Sequence, residues 1–93
     1  MSSRRPDREE AETIAVRALA FLAADPQRLA RFLDLTGLRP DTLRAAAREP
    51  HFLARVLDHV AADEALLIEA AADQGIAPER FAAAHALVGD RPE

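Results

Sequence analysis

The chain has no cysteine, no lysine, no tryptophan and no tyrosine. Without cysteine there is no disulfide, no thiolate metal ligand and no thiol nucleophile. Serine occurs only as Ser2 and Ser3, and Thr13, Thr36 and Thr42 are the only other aliphatic hydroxyls, so hydroxyl nucleophiles are scarce too. The three glycines are scattered at Gly37, Gly75 and Gly89, which excludes a glycine-rich phosphate loop. No apolar run approaches the roughly 20 residues that span a bilayer. Arg4 and Arg5 precede an apolar stretch, but Arg17 interrupts it and the pattern of a secretory signal is missing. The expectation is a soluble cytoplasmic protein that is not an enzyme and uses no cofactor and no metal.

All twelve basic residues are arginine, and alanine is the commonest residue. Arginine without lysine is the mark of a GC-rich coding sequence rather than of a function. Residues 1–48 carry nine arginines against seven acids, a balance of +2, and residues 49–93 carry three against nine, a balance of −6. Together these make the net charge of −4. Such a split bears on partners and self-association rather than on the fold.

Residues 15–47 and 53–85 align without a gap at an offset of 38. The shared positions include Arg17/Arg55, Leu19/Leu57, Asp25/Asp63, Leu29/Leu67, Gly37/Gly75 and Pro40/Pro78, with Leu38/Ile76, Asp41/Glu79 and Leu43/Phe81 as conservative replacements. Matching alanines mean little in an alanine-rich chain, whereas the Gly-apolar-x-Pro-acid frame means more. The reading is a duplicated unit, with copies over about 12–49 and 50–88 of one 93-residue domain and flexible ends at 1–6 and 89–93.

No segment alternates with period two, and Ala, Leu, Arg and Glu favour helix. Asp7 with Glu10 forms a capping-box signal for a first helix ending near Ala24. Its inner stripe of Ala15, Ala18, Leu19 and Leu22 recurs as Leu53, Val56, Leu57 and Val60. Asp25 caps a helix opened by Pro26, Gly37 ends it in the left-handed conformation, and Pro40 opens a short third helix. Pro50, Asp63, Gly75 and Pro78 repeat this punctuation. The predicted fold is therefore all-α: a compact bundle of about six short helices in two three-helix units. Neither unit has enough apolar residues to stand alone, so they share one core, paired about a pseudo-twofold axis.

Candidate sites are few. Leu33–Ala46 has helix-turn-helix spacing, and the second copy matches it better through Ala71, Gly75, Ile76 and Phe81. That copy is acidic over residues 64–86, with Glu64, Glu69, Asp73 and Glu79 against Arg80. The first copy offers Arg28, Arg31, Arg39, Arg44 and Arg48 against Asp34 and Asp41. Phosphate binding needs such cations, but the chain as a whole is acidic, and a glycine-ended helix pair is also an ordinary corner in a bundle. His51, His59 and His85 are the only imidazoles. His59 and Asp63 stand four apart with Asp58 nearby, too few and too scattered for a zinc site. Asp25 and Asp63 read as caps, and Arg17 and Arg55 as structural cations paired with an acid.

The stretch 15–67 resembles a family of small, functionally uncharacterised bacterial proteins of the domain-of-unknown-function class, and the likeness extends through the Gly75–Pro78 turn. Arg17, Ala18, Leu19, Phe21, Leu22, Asp25, Pro26, Leu29, Phe32, Leu33, Thr36, Gly37 and Leu38 carry it, followed by Phe52, Leu53, Val56, Leu57 and Asp63. At Arg39 the family more often has a capping polar residue. The resemblance implies a compact all-helical domain and carries over no activity, ligand or site residue. The functional expectation is a protein–protein interaction or regulatory adaptor module, self-association included, with Arg44 and Arg48 at a dimer interface. The alternative is a helix-turn-helix-like nucleic-acid-binding regulator using the five arginines of the first copy.

Overall fold

The computed structural model describes residues 7–46 and 49–89. They form six α-helices: α1 (Arg8–Ala23), α2 (Pro26–Thr36), α3 (Pro40–Ala46), α4 (Pro50–Ala61), α5 (Glu64–Gln74) and α6 (Pro78–Gly89). Ala47, Arg48 and the ends at 1–6 and 90–93 lie outside the described residues, whereas Gly89, read as part of a fraying tail, closes α6.

Local chemistry sets the boundaries. The Asp7 carboxylate accepts from the Glu10 amide at 2.8 Å, that of Asp25 from Gln27 at 2.9 Å and that of Asp63 from Leu66 at 3.2 Å. Each satisfies an amide that a helix start would otherwise leave unpaired. The capping box at Asp7 is not reciprocal, because the Glu10 side chain turns to Arg80 instead. Gly37 and Gly75 have φ of 75° and 73°, the left-handed geometry that lets a chain leave a helix. The two exits differ in one detail. The Ile76 amide donates to the Ala71 carbonyl at 3.0 Å, but the Leu38 amide donates to the Thr36 hydroxyl at 3.4 Å.

Helix ends keep the 38-residue register: α2 and α5 span 26–36 and 64–74, α1 and α4 end at 23 and 61, and α3 and α6 begin at 40 and 78. The packing does not keep it. Helices α1, α4 and α6 pack against one another, and α5 lies against all three. Among the described residues α3 has no comparable backbone neighbour, and the pseudo-twofold arrangement expected from the repeat is absent. Such an axis would require α3 and α6 to be equally central.

One core cluster draws on both halves. Ile14, Leu22, Phe32, Leu57, Val60 and Phe81 fill it, and Ala11, Ala15, Ala18 and Ala84 let the α1 and α6 backbones approach closely. Seven of the eight stripe positions read from the pattern are buried, and Leu19 is half-buried against the cluster. Long-range polar ties close the bundle, among them Gln74 Nε2, which donates to the Ile14 carbonyl at 3.0 Å, and Arg80 Nε, which donates to Glu10 at 3.0 Å.

Candidate functional site

No polar or charged residue is buried among the described residues. The buried core of these residues is apolar throughout, and their titratable side chains lie at its edge or on the surface. A groove of about 540 Å³ lies where α2, the end of α4 and the start of α5 meet, with Leu22 of α1 behind it. Arg28, Arg31 and Leu35, one flank of α2, form one wall; Asp63, Glu64 and Leu66 form the other. His59 lies between them. A hollow of about 340 Å³ shares Leu35 and His59 with the groove and leads past Thr36 and Asp58 to Arg55. A third, of about 400 Å³, shares Arg55 and runs under α3 between Leu38, Ala46 and Phe52. Together they make a furrow along the solvent side of α4, marked by His51, Arg55, His59 and Ala62.

Phe32 lies in the core against two of the lining residues, Phe52 and His59. Its ring is fully buried and meets Phe52 and His59 edge-on, with centroids 5.9 and 5.1 Å apart. Phe52 and His59 are two turns apart on α4, so one ring of α2 is held between two rings of α4. Burial here pushes the His59 imidazole below its ordinary 6.5, and the Arg31 guanidinium pushes it the same way against the opposing pull of Asp63. The Thr36 hydroxyl beside it donates to the Phe32 carbonyl at 2.8 Å, which ties it to the α2 backbone.

The five arginines singled out in the first half do not form one patch. Arg28 is engaged by its own chain at the surface: it pairs with Glu69 at 2.9 Å, reaches Asp25 at 3.9 Å and lies 4.3 Å over the Phe21 ring. Arg39 pairs with Asp41 on its own helix start at 3.3 Å. Arg31 is exposed on the groove wall and Arg44 is exposed on α3, and neither forms an ion pair among the described residues. Arg48 lies outside the described residues. Only Arg28 and Arg31 therefore share a wall.

One sequence reading changes here. Arg17 and Arg55, expected to pair with an acid, are exposed and form no ion pair among the described residues. In the better helix-turn-helix match the second helix, α6, packs on α1, α4 and α5 and buries Phe81, Ala84 and Val88, while Glu79, Ala82 and Ala86 are exposed. The imidazoles also go separate ways: His85 meets Asp58, while His59 stacks on Phe32. No three His, Asp or Glu side chains among the described residues gather where one ion would be held.

The model of a family described as "Protein of unknown function (DUF3572)" matches residues 8–91. The chain belongs to the DUF3572 family. No curated protein and no solved structure matches it. The matched span covers all six helices of this DUF3572 protein and therefore the whole furrow. No helix among its described residues is long and apolar enough to cross a membrane.

Proposed function

We propose that this DUF3572 protein is a protein-interaction module without catalytic activity, and that its docking face is the furrow along α4. The observation that carries this is Leu35. It is 66% exposed at the junction of two hollows, with His59 beside it and with Arg31 and Arg55, cations free of ion-pair partners among the described residues, lining the same furrow. A large apolar side chain set between cations and an amphipathic ring is the composition of an interface anchor: water leaves it at a gain, while the charges select the partner. Small-molecule chemistry fits less well, because the furrow is long and open and the Thr36 hydroxyl, which lines the same hollow as His59, is already engaged.

The test is affinity capture from a lysate of the native host, with and without nuclease, comparing the wild-type chain with Arg31→Glu/Leu35→Ser. A protein that survives nuclease and is lost with the variant supports the reading. Nucleic acid recovered only without nuclease, and lost on reversing Arg31 and Arg44, would replace it with phosphate binding by the first half.

A further inference from the structure

We infer that α2 is a flap that opens from α4 while the rest of the bundle stays folded, and that His59 is its latch, released when the ring takes a proton. The inference does not rest on the furrow as a docking face, but it bears on it. Arg28, Arg31 and Leu35 belong to α2, so one wall of the groove exists only while the flap is closed.

The packing sets α2 apart. Helices α1, α4, α5 and α6 all pack against one another, whereas α2 has comparable backbone contact with α1 alone. Helix α3, which follows it, has no such contact among the described residues, so it does not pin α2 from its far end. Helix α1 buries five residues, and α2 buries Phe32 only, with Leu29 and Leu33 half-buried beside it. No hydrogen bond or ion pair joins α2 to α4 among the described residues, and the pair of Arg28 with Glu69 of α5 lies in water, where such a pair adds little. The hold on α4 therefore concentrates in Phe32, whose ring stands edge-on between Phe52 and His59. Elements held this weakly open at a lower free energy than the whole molecule. An eleven-residue helix is marginal in water without packing, so an opened α2 melts.

His59 is the titratable member of this clamp. In the closed form its ring is half-buried against Phe32. Arg28 and Arg31 face its site from α2, Asp63 and Glu64 from the start of α5, Arg55 and Asp58 from its own helix, and α1 contributes Leu22. Arg28 is paired with Glu69, Asp58 meets His85 of α6, and Asp63 caps α5. Arg31 has no ion pair among the described residues. A proton on His59 thus places a second cation near Arg31 in a site partly closed to water. Burial and Arg31 hold the ring below 6.5 against the pull of Asp63. Both penalties end when α2 leaves, because the ring is then hydrated and Arg31 departs with the helix. Below 6.5 the open form binds the proton more readily than the closed one, and acid shifts the balance toward opening.

The experiment is amide hydrogen exchange followed by NMR on the full chain, from about pH 7.5 to about pH 5, expressed as protection factors to remove the intrinsic pH dependence of exchange. Amides of α2 should be less protected than those of α1 and α6 throughout. In the wild type they should lose protection several-fold as pH falls below 6.5, within the limit of about thirtyfold at about pH 5 that one proton bound only in the open form allows. The loss should level off where imidazole NMR shows the folded His59 fully charged. His59→Phe keeps a ring against Phe32, as Phe21 supplies one at the matching place of the first copy, and takes no proton. Its α2 protection should stay constant over the same range. One common protection for α1, α2 and α6 would overturn the flap, since α2 would then open only with the whole molecule. No loss in acid would overturn the latch, as would a loss that persists in His59→Phe or runs in parallel in α6, where His85 meets Asp58. The wild type decides even if that variant fails to fold: a loss outside the pH window of the His59 ring also overturns the latch.

Discussion

Replacing Phe32 by alanine tests what holds α2 to the bundle. The ring is fully buried and edge-on to two rings of α4, at 5.9 Å from Phe52 and 5.1 Å from His59. Truncating a buried phenylalanine costs about 3–5 kcal/mol through lost transfer energy and the cavity left behind. Two edge-on contacts, at about 0.5–1.5 kcal/mol each, place this site in the upper part of that range. A 93-residue chain has a margin of about 5–14 kcal/mol, so the loss is a large share of it. With a urea slope near 1 kcal/mol per molar, the midpoint should fall by about 3–5 M. Phe32→Leu keeps most of the apolar volume, loses the ring edges and should fall by only about 1–2 M. The assay is urea unfolding followed by far-ultraviolet circular dichroism. If Phe32→Ala costs less than about 1.5 kcal/mol, the ring is not the clamp described here and α2 is held by something else.

Gly37→Ala and Gly75→Ala should each cost about 1–2 kcal/mol, since both residues sit at positive φ and an added Cβ meets nothing within 4 Å; unequal losses in thermal melts would show that one exit is not left-handed in solution. Asp25→Ala and Asp63→Ala remove caps on separate helices and should each cost about 1 kcal/mol, adding in the double variant; a double-mutant cycle with strong coupling would contradict this. His59 binds its proton less readily folded than unfolded, so the unfolded state holds more protons in the window below 6.5. Its contribution to stability is therefore present above 6.5 and is lost as pH falls through the folded value. Arg31→Gln should move the His59 titration, followed by imidazole NMR, toward 6.5; no movement would remove Arg31 as a cause.

What was legible in the sequence is what short-range chemistry decides. Asp25-Pro26, Gly37, Pro40 and their partners at Asp63, Gly75 and Pro78 act within one turn of themselves, and each stands where the pattern put it. The buried stripe of α1 and α4 was legible for the same reason, since periodicity is local. The candidate site was legible only in part. Arg28 reads as a free cation until Glu69, 41 positions away, is brought to it. The hold of Arg80 on Glu10, 70 positions apart, overrides a capping box that sequence spacing alone suggested. The furrow itself has no sequence signal, because Arg31, Leu35, Arg55 and His59 come from two helices whose approach depends on Phe32.

The least legible feature is that α3 and α6, at matching places in the 38-residue register, play unequal roles, and three positions distinguish them. Phe81, Ala84 and Val88 bury α6 in the core, and at an offset of 38 they correspond to Leu43, Ala46 and Pro50. Leu43 and Ala46 reach only half-burial, and the third position opens the next helix. Proline forces the residue before it out of the helical region, and Glu49 is accordingly extended at φ −93°, ψ 131°. Among the described residues the third helix of the first half spans Pro40–Ala46 and that of the second half spans Pro78–Gly89. The end of the furrow under α3 stays open between Leu38 and Phe52. Extending α3 by replacing Pro50 would be expected to close that end only by unmaking the start of α4, whose Phe52 and Leu53 the core needs.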